Sequence, residues 1–131
     1  MAFNEVKHDM RKTRVLIASR PKLLSEVIHY MIQRQPDMKV VSEVLDPLEL
    51  FLLIKTLRAD VVIVTPLPGN GDPHICIKLL AAYPLLIIVT QSAKGEAAYL
   101  YQTNVPKKRI NEPSAQSILD AIRQAMQSIA S

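Results

Sequence analysis

Five polar residues stand where apolar runs of the sequence end: Ser19, Arg20, Thr65, Thr90 and Glu112. Parallel sheets bind ligands at the carboxyl ends of their strands, so these residues mark the candidate site if the runs are strands. Their side chains provide three hydroxyls, one guanidinium and a single carboxylate. Hard divalent cations are held by several oxygen ligands, usually including carboxylates. The pattern therefore predicts no catalytic residue, no metal and no cofactor at this edge.

Other residue types that often carry chemistry give no better candidate. His8, His29 and His74 are not spaced as a metal-binding set. Cys76 stands between two isoleucines with no adjacent base to lower its pKa, so we expect a core thiol. Gly69-Asn70-Gly71 does not follow the first apolar run, as a dinucleotide-binding fingerprint would. Nucleotide hydrolysis and enzymatic activity are not predicted.

Size and composition favour one compact domain. The chain has 131 residues, of which 49% are hydrophobic. The single cysteine and the lack of a basic and apolar leader predict a cytoplasmic protein. The longest apolar stretch, Leu85 to Val89, is far shorter than the ~20 residues of a membrane span, so no membrane partner is expected.

The charge balance is weakly basic. Sixteen basic and twelve acidic residues give a formal net charge of +4. The basic groups at Arg11 to Arg14 and Lys107 to Arg109 are not interleaved with aromatic residues in the sequence, as a binder of single strands requires. We therefore expect no direct nucleic-acid binding by this domain.

Short apolar runs alternate with segments of helical spacing, which is typical of a parallel sheet. The predicted strands are Arg14 to Ala18, Met38 to Glu43, Asp60 to Val64, Leu85 to Thr90 and a weak fifth near Lys108 to Asn111. Right-handed crossovers place helices on both faces, so we predict a flavodoxin-like, doubly wound, five-stranded parallel sheet of order 2-1-3-4-5. Residues 1–13 read as a flexible arm and residues 14–131 as the domain.

Five helices are predicted between and after these strands. The stripe of the first helix is Leu23, Leu24, Val27, Ile28, Met31 and Ile32, and that of the fifth is Ile118, Leu119, Ile122, Ala125, Met126 and Ile129. Asp46-Pro47 and Asp72-Pro73 start the second and third helices, and Ser114 caps the fifth. A weaker fourth helix is predicted from Ala93 to Gln102.

The sequence around the polar edge resembles the receiver domain of bacterial two-component response regulators. Arg14 to Ala18, Asp60 to Val64 and Leu86 to Thr90 match the first, third and fourth strands of that family, closest to the branch with LuxR-type output domains. The resemblance covers roughly Arg14 to Ala125. It implies a role in phosphorelay signal transduction or transcription regulation.

The residues that carry receiver chemistry are replaced here. In the family, the first strand ends in an acidic pair that holds magnesium, and Ser19 and Arg20 occupy those positions. The third strand of the family ends in the phospho-accepting aspartate, and here it ends in Thr65. A hydroxyl does not substitute for that carboxylate. The resemblance therefore implies a degenerate pseudo-receiver that is not phosphorylated on aspartate.

Of the remaining positions that bind or respond to the phosphoryl group in the family, some keep the family's residue type and others do not. Thr90 keeps the hydroxyl that binds the phosphoryl group in the family, and Leu67 lies in the turn after the former phosphosite. Ile110 matches the aromatic switch residue, and Glu112-Pro113 matches a lysine and proline whose peptide bond is commonly cis, so we expect a cis bond there. Because Arg20 and Glu112 exchange the family's charges, we hypothesise that they form an ion pair across the pocket mouth.

The resemblance also implies a contact face. In receivers the fourth helix, fifth strand and fifth helix form a frequent dimer and output face. It maps here to roughly Ala93 to Ser128, including Ala97, Ala98, Tyr101 and Ala125. We therefore expect a protein partner or a homodimer.

Two alternative functions stay open. One is the regulatory half of a LuxR-type transcription factor. In that branch a DNA-binding helix-turn-helix follows the fifth helix, and in this alternative it would belong to a segment that is absent from the sequence given. The other is a flavin-binding or enzymatic flavodoxin-like domain. Its phosphate-binding loop would be the segment Ser19 to Lys22, which resembles such loops only weakly.

Overall fold

The computed structural model describes residues 12–44, 48–65, 74–94 and 96–130. The strands are β1 (Thr13–Ala18), β2 (Met38–Glu43), β3 (Val61–Val64), β4 (Ile87–Gln91), β5 (Ala98–Gln102) and β6 (Val105–Arg109). The helices are α1 (Lys22–Gln33), α2 (Leu48–Leu57), α3 (His74–Ala82) and α4 (Ala115–Ala130). Strand β1 begins one residue inside the predicted arm, whose residues 1–11 lie outside the described ranges. The starts predicted at residues 46–47 and 72–73 also lie outside them.

The first four strands form the predicted parallel sheet. The order is β2-β1-β3-β4, with β1 between β2 and β3. The central strand β3 consists of Val61-Val62-Ile63-Val64, and all four residues are buried. Such β-branched runs suit strands that are covered on both faces. The α/β fold and the order of these four strands are as predicted.

The far side of the sheet differs from the prediction. Where a fourth helix was expected, the chain forms β5, which pairs antiparallel with β4 and then with β6. The sheet therefore has six strands in the described residues, in the order β2-β1-β3-β4-β5-β6, and is mixed rather than all-parallel. The predicted fifth strand corresponds to β6, one position further out. Ala98-Tyr99-Leu100-Tyr101 alternates between a buried and a half-buried residue, a period of two that overrides the helix propensity of the alanines.

Helices cover both faces of the sheet. Ile28 and Ile32 of α1 and Leu119 and Ile122 of α4 pack in one core cluster with Val15, Ile17 and Ile63. Leu50 of α2 and Leu79 of α3 pack on the other face with Leu16, Val62 and Ile88. The two clusters show the doubly wound arrangement that the strand pattern predicted.

The helix stripes are confirmed in most positions. On α4 the predicted stripe is buried or packs against the core. On α1 the prediction was too wide, because Leu23 is 72% exposed and Val27 is 56% exposed. These two residues lie on the outer side of α1, whereas Ile28, Met31 and Ile32 fill its inner side.

No helix in the described part of the chain is long and apolar enough to cross a membrane.

Two backbone details correct or extend the sequence reading. Among the described peptide bonds, the cis bond is Arg20–Pro21, so the cis bond predicted at Glu112–Pro113 is wrong. Helix α2 ends at Leu57, and Arg58, the next residue, has a φ of 53°. The amide of Ala59 donates to the carbonyl of Ile54 at 3.0 Å, which satisfies a carbonyl of the last turn.

Candidate functional site

The parallel strands bring three of the predicted site residues to one edge. Ala18 of β1 is in register with Val64 of β3, and Val64 is in register with Thr90 of β4. Ser19 and Thr65 follow directly at the ends of β1 and β3. The candidate site is therefore built from neighbouring strand ends, as the sequence predicted.

The hydroxyls at this edge are bound to the protein backbone. The amide of Arg20 donates to Thr65 Oγ1 at 3.1 Å, and the amide of Thr65 donates to the carbonyl of Ala18 at 3.3 Å. Ser19 is buried, and its hydroxyl donates to the carbonyl of Ile63 at 3.3 Å. These contacts join the ends of β1 and β3. Thr65 thus acts as an acceptor for the amide of the residue that begins the loop after β1.

Thr90 and Gln91 close the end of β4. Thr90 is 3% exposed and pairs with Tyr99 across the antiparallel ladder. Gln91 is also buried, and its Oε1 atom accepts no hydrogen bond within the described structure. Sequence reasoning missed Gln91, although a polar residue that ends an apolar run was the available signal. Next to it, Ser92 Oγ accepts the amides of Glu96 and Ala97 and so shapes the loop into β5.

The inserted strand moves the last predicted residues away from this edge. Ile110 is buried, and its amide donates to the carbonyl of Ala98 at 2.9 Å. Glu112 is exposed with a φ of 47°, and its carbonyl accepts the hydroxyl of Ser117. Pro113 follows it and is half-buried. Ser114 caps α4 as predicted, because its hydroxyl accepts the amide of Ser117 at 3.2 Å.

The sheet order argues against the hypothesised pairing of Arg20 with Glu112. The ends of β1 and β6 are separated by three intervening strands, β3, β4 and β5. At about 4.8 Å per strand, the ends of these two strands are about 19 Å apart. The ion pair stays a prediction. Leu67, the other residue of the predicted pocket, lies outside the described residues.

A carboxylate that sequence reasoning did not single out stands at the end of β2. Glu43 accepts the hydroxyl of buried Ser25 at 2.7 Å, and its other oxygen lies 2.5 Å from His29 Nδ1. The Ser25 hydrogen bond, followed by that of His29, lowers the pKa of Glu43 below its usual value. The spacing of Ser25 and His29 by four residues on one helix was the available signal. In the described residues no set of three possible metal ligands occurs.

The predicted contact residues are largely internal. Ala98 lies on β5 and Ala125 on α4, and both belong to the core, so they do not form an exposed face. Ala97 and Tyr101 are half-buried. Because the fourth helix is replaced by β5, the surface here consists of a hairpin and α4 rather than two helices. Whether it binds a partner stays a prediction.

Comparison with known proteins shows the fold. No family model and no curated protein sequence matches the chain. The structure resembles the response regulator domain of Thermotoga maritima CheB, with a TM-score of 0.63, 23% identity, and coverage of 89% of this chain and 98% of that chain. It also resembles a two-component response regulator of the LuxR family from Aurantimonas sp. SI85-9A1, with a TM-score of 0.54, 22% identity and coverage of 62% of this chain. The match spans 59% of the length of that regulator.

Proposed function

We propose that this chain is a pseudo-receiver, a cytoplasmic, non-enzymatic signalling module that binds a protein partner or a second copy without aspartyl phosphorylation. The observation that carries the proposal is the hydrogen bond that the side chain of Thr65 accepts. It stands at the end of the third strand of a receiver-type sheet, and its hydroxyl accepts the amide of Arg20 at 3.1 Å. This contact holds the loop after β1 against β3.

The chemistry of the edge supports the same conclusion. Transfer of a phosphoryl group to a protein side chain needs a nucleophile together with cations that neutralise the transferred charge. The edge offers the hydroxyls of Ser19, Thr65 and Thr90, and those of Ser19 and Thr65 already bond the backbone. Glu43, the nearby carboxylate at the end of β2, is occupied by Ser25 and His29. Within residues 12–44, 48–65, 74–94 and 96–130, a magnesium ion would therefore find at this edge no set of carboxylate ligands of the kind that it prefers.

An amide NMR titration of the protein with magnesium and beryllofluoride, a mimic of aspartyl phosphate, tests the proposal. We expect no saturable shift at Arg20, Thr65 or Thr90. A receiver with an intact acidic site, treated in parallel, provides the positive control. Saturable shifts at these three amides would show that the edge still binds phosphoryl-like ligands and would overturn the phosphate-independent role.

A second candidate is the regulatory half of a LuxR-type transcription factor. The resemblance to a LuxR-family regulator, of which the match spans 59%, favours it. In that case DNA binding belongs to a segment outside this chain. The length of the natural gene product, read from an immunoblot of cell extract, separates the two candidates. A product well above the 14.7 kDa of this chain would favour the transcription factor.

A further inference from the structure

Strand β6 forms an exposed, strongly basic edge of the sheet. All five of its residues, Val105 to Arg109, are exposed. It has β5 on one side and is last in the strand order, so its other side carries no strand in the described structure. Lys107, Lys108 and Arg109 follow one another along it. An open edge strand offers backbone groups for pairing with another chain.

The ladder of the hairpin shows which backbone groups face outward. The amide of Ile110 donates to the carbonyl of Ala98, which makes this a hydrogen-bonded pair. Bonded and non-bonded pairs alternate in antiparallel ladders, so the next pair, Tyr99 with Arg109, is not hydrogen-bonded. The amide and carbonyl of Arg109 therefore point away from β5, toward the open edge. At Pro106 the strand has no amide donor.

The three positive charges lie on both faces of the sheet. Lys107 Nζ is 5.0 Å from the centre of the Tyr99 ring, and Arg109 is in register with Tyr99, so these two cations share one face. Lys108 is in register with Leu100 and lies on the opposite face. A strand added along this edge would meet a cation at three successive positions. Opposite charges across a strand pair stabilise it, and like charges destabilise it.

We propose that β6 is a docking edge for an acidic, extended segment of a partner protein, which adds to the sheet as a further strand. Charge complementarity selects this occupant. A second copy would bring its own three cations to the same edge and be repelled. Lysine and proline on an edge commonly protect against pairing, and here the same charges make the protection selective for acidic strands. A nucleic acid stacked on Tyr99 would use the cations of one face and leave Lys108 unused.

This proposal rests on the function proposed above, for which it names a partner. The two proposals are tested at different amides of the protein. Phosphoryl-mimic binding is read at Thr65 and Thr90, whereas strand addition is read at the amides of β6. A positive phosphoryl-mimic titration with a positive peptide titration would overturn the pseudo-receiver alone. If neither the peptide nor beryllofluoride causes saturable shifts, the docking edge alone would be overturned.

The experiment is an amide NMR titration of the whole chain with the peptide Thr-Val-Thr-Glu-Glu-Glu-Thr-Val-Thr. The matched control peptide has lysine in place of the three glutamates, and a thymidine oligonucleotide of similar length represents nucleic acid. We expect saturable shifts in β6 with the acidic peptide and slower hydrogen exchange of the Arg109 amide. Binding should weaken about tenfold or more between about 0.05 M and 0.5 M salt, because the ion pairs are exposed to screening.

Variants locate the binding. Charge reversal by Lys107→Glu, Lys108→Glu and Arg109→Glu together should abolish binding of the acidic peptide. Reversal of two exposed lysines on other elements, Lys55→Glu and Lys78→Glu, should leave measurable binding at the edge. Arg109→Pro, which removes the outward amide, should also weaken binding. The proposal is wrong if neither the acidic peptide nor the oligonucleotide binds, if the oligonucleotide alone binds, or if the lysine peptide binds equally well.

Discussion

The hydroxyl oxygen of Thr65 lies 3.1 Å from the backbone nitrogen of Arg20 and accepts its hydrogen. This contact joins the ends of two neighbouring strands at the edge where parallel sheets usually bind ligands. A side chain that is engaged with its own backbone is not available to a ligand unless that bond is exchanged.

Replacing Thr65 with valine should destabilise the protein by about 1 kcal/mol, because the amide of Arg20 loses its acceptor while the shape of the side chain is kept. Urea unfolding of the wild type and variant measures this free energy. Thr65→Ser retains the hydroxyl and should recover most of the loss. Equal stability of the valine variant and the wild type would show that the hydrogen bond contributes nothing.

A carboxylate placed at position 65, where the resemblance to receivers predicts the nucleophile, should not by itself create a phosphoryl-accepting site. In Thr65→Asp the new carboxylate stands beside Ser19 and Arg20, neither of which binds magnesium as an acid does. We expect no beryllofluoride binding by the single variant in fluorine NMR. Binding by Thr65→Asp alone would mean that the edge already supplies the cation site.

The hydroxyl of Ser25 should be the largest single cause of the lowered pKa of Glu43. Ser25→Ala removes the strongest of the hydrogen bonds that hold this pKa down, so the pKa should rise toward its usual value. His29→Gln should raise it less. Carboxyl-carbon NMR titration measures each value. A larger rise in the His29 variant would reverse the assignment.

Arg123 of α4 should stabilise the protein in a pH-dependent way through Asp37. Its guanidinium donates to both carboxylate oxygens, each at 2.9 Å, and lowers the pKa of Asp37. A lowered carboxyl pKa adds stability above the pKa of the unfolded chain, near 4, and this is lost as the pH falls through the folded value.

Arg123→Gln should therefore cost no more than about 1 kcal/mol at neutral pH, because the pair is partly exposed. The difference from the wild type should shrink below about pH 4. Lys78→Gln, which removes an exposed cation on α3, is the control and should show no such trend. A constant difference from neutral to acid pH would show that packing, not the ion pair, explains the loss.

Two leucines that lie on helices should differ strongly in their contribution. Leu50 on α2 is fully buried, whereas Leu23 on α1 is 72% exposed. Leu50→Ala should destabilise the protein by about 2–5 kcal/mol. Leu23→Ala should stay within about 0.5 kcal/mol. Thermal or urea unfolding of the two variants tests whether Leu50 faces the core and Leu23 faces away from it, and equal losses would contradict this arrangement.

The parallel half of the fold could be predicted because burial on both faces demands continuous apolar strands. Runs such as Val61 to Val64 have few alternatives in a chain of this size. The hairpin was missed because Ala97 and Ala98 favour a helix locally, while Tyr99, Leu100 and Tyr101 alternate with the period of a strand. Asn104, which adopts a φ of 63°, is a residue typical of tight turns and was the available signal.

The candidate site was predicted in part for a related reason. Residues that directly follow well-defined strands, such as Ser19 and Thr65, were placed correctly because the strand ends fix them. Glu112 was assigned to the pocket on the assumption of a fifth strand beside β4. The inserted β5 places three strands between β1 and β6, and nothing in the local sequence around Glu112 encodes that insertion.

The β5–β6 hairpin makes the two edges of the sheet unequal in how they assemble. Its strands are joined by two residues, Thr103 and Asn104, whereas β2, the strand at the other edge, pairs with β1 only after the chain has passed through α1. Closing a short loop costs less chain entropy than closing a long one, and hairpins form within about 1–10 μs. The basic edge is therefore a sequence-local unit that can form before the parallel core closes. During synthesis, the formation of this hairpin would therefore require fewer contacts with residues far away in the sequence than the formation of the parallel strands.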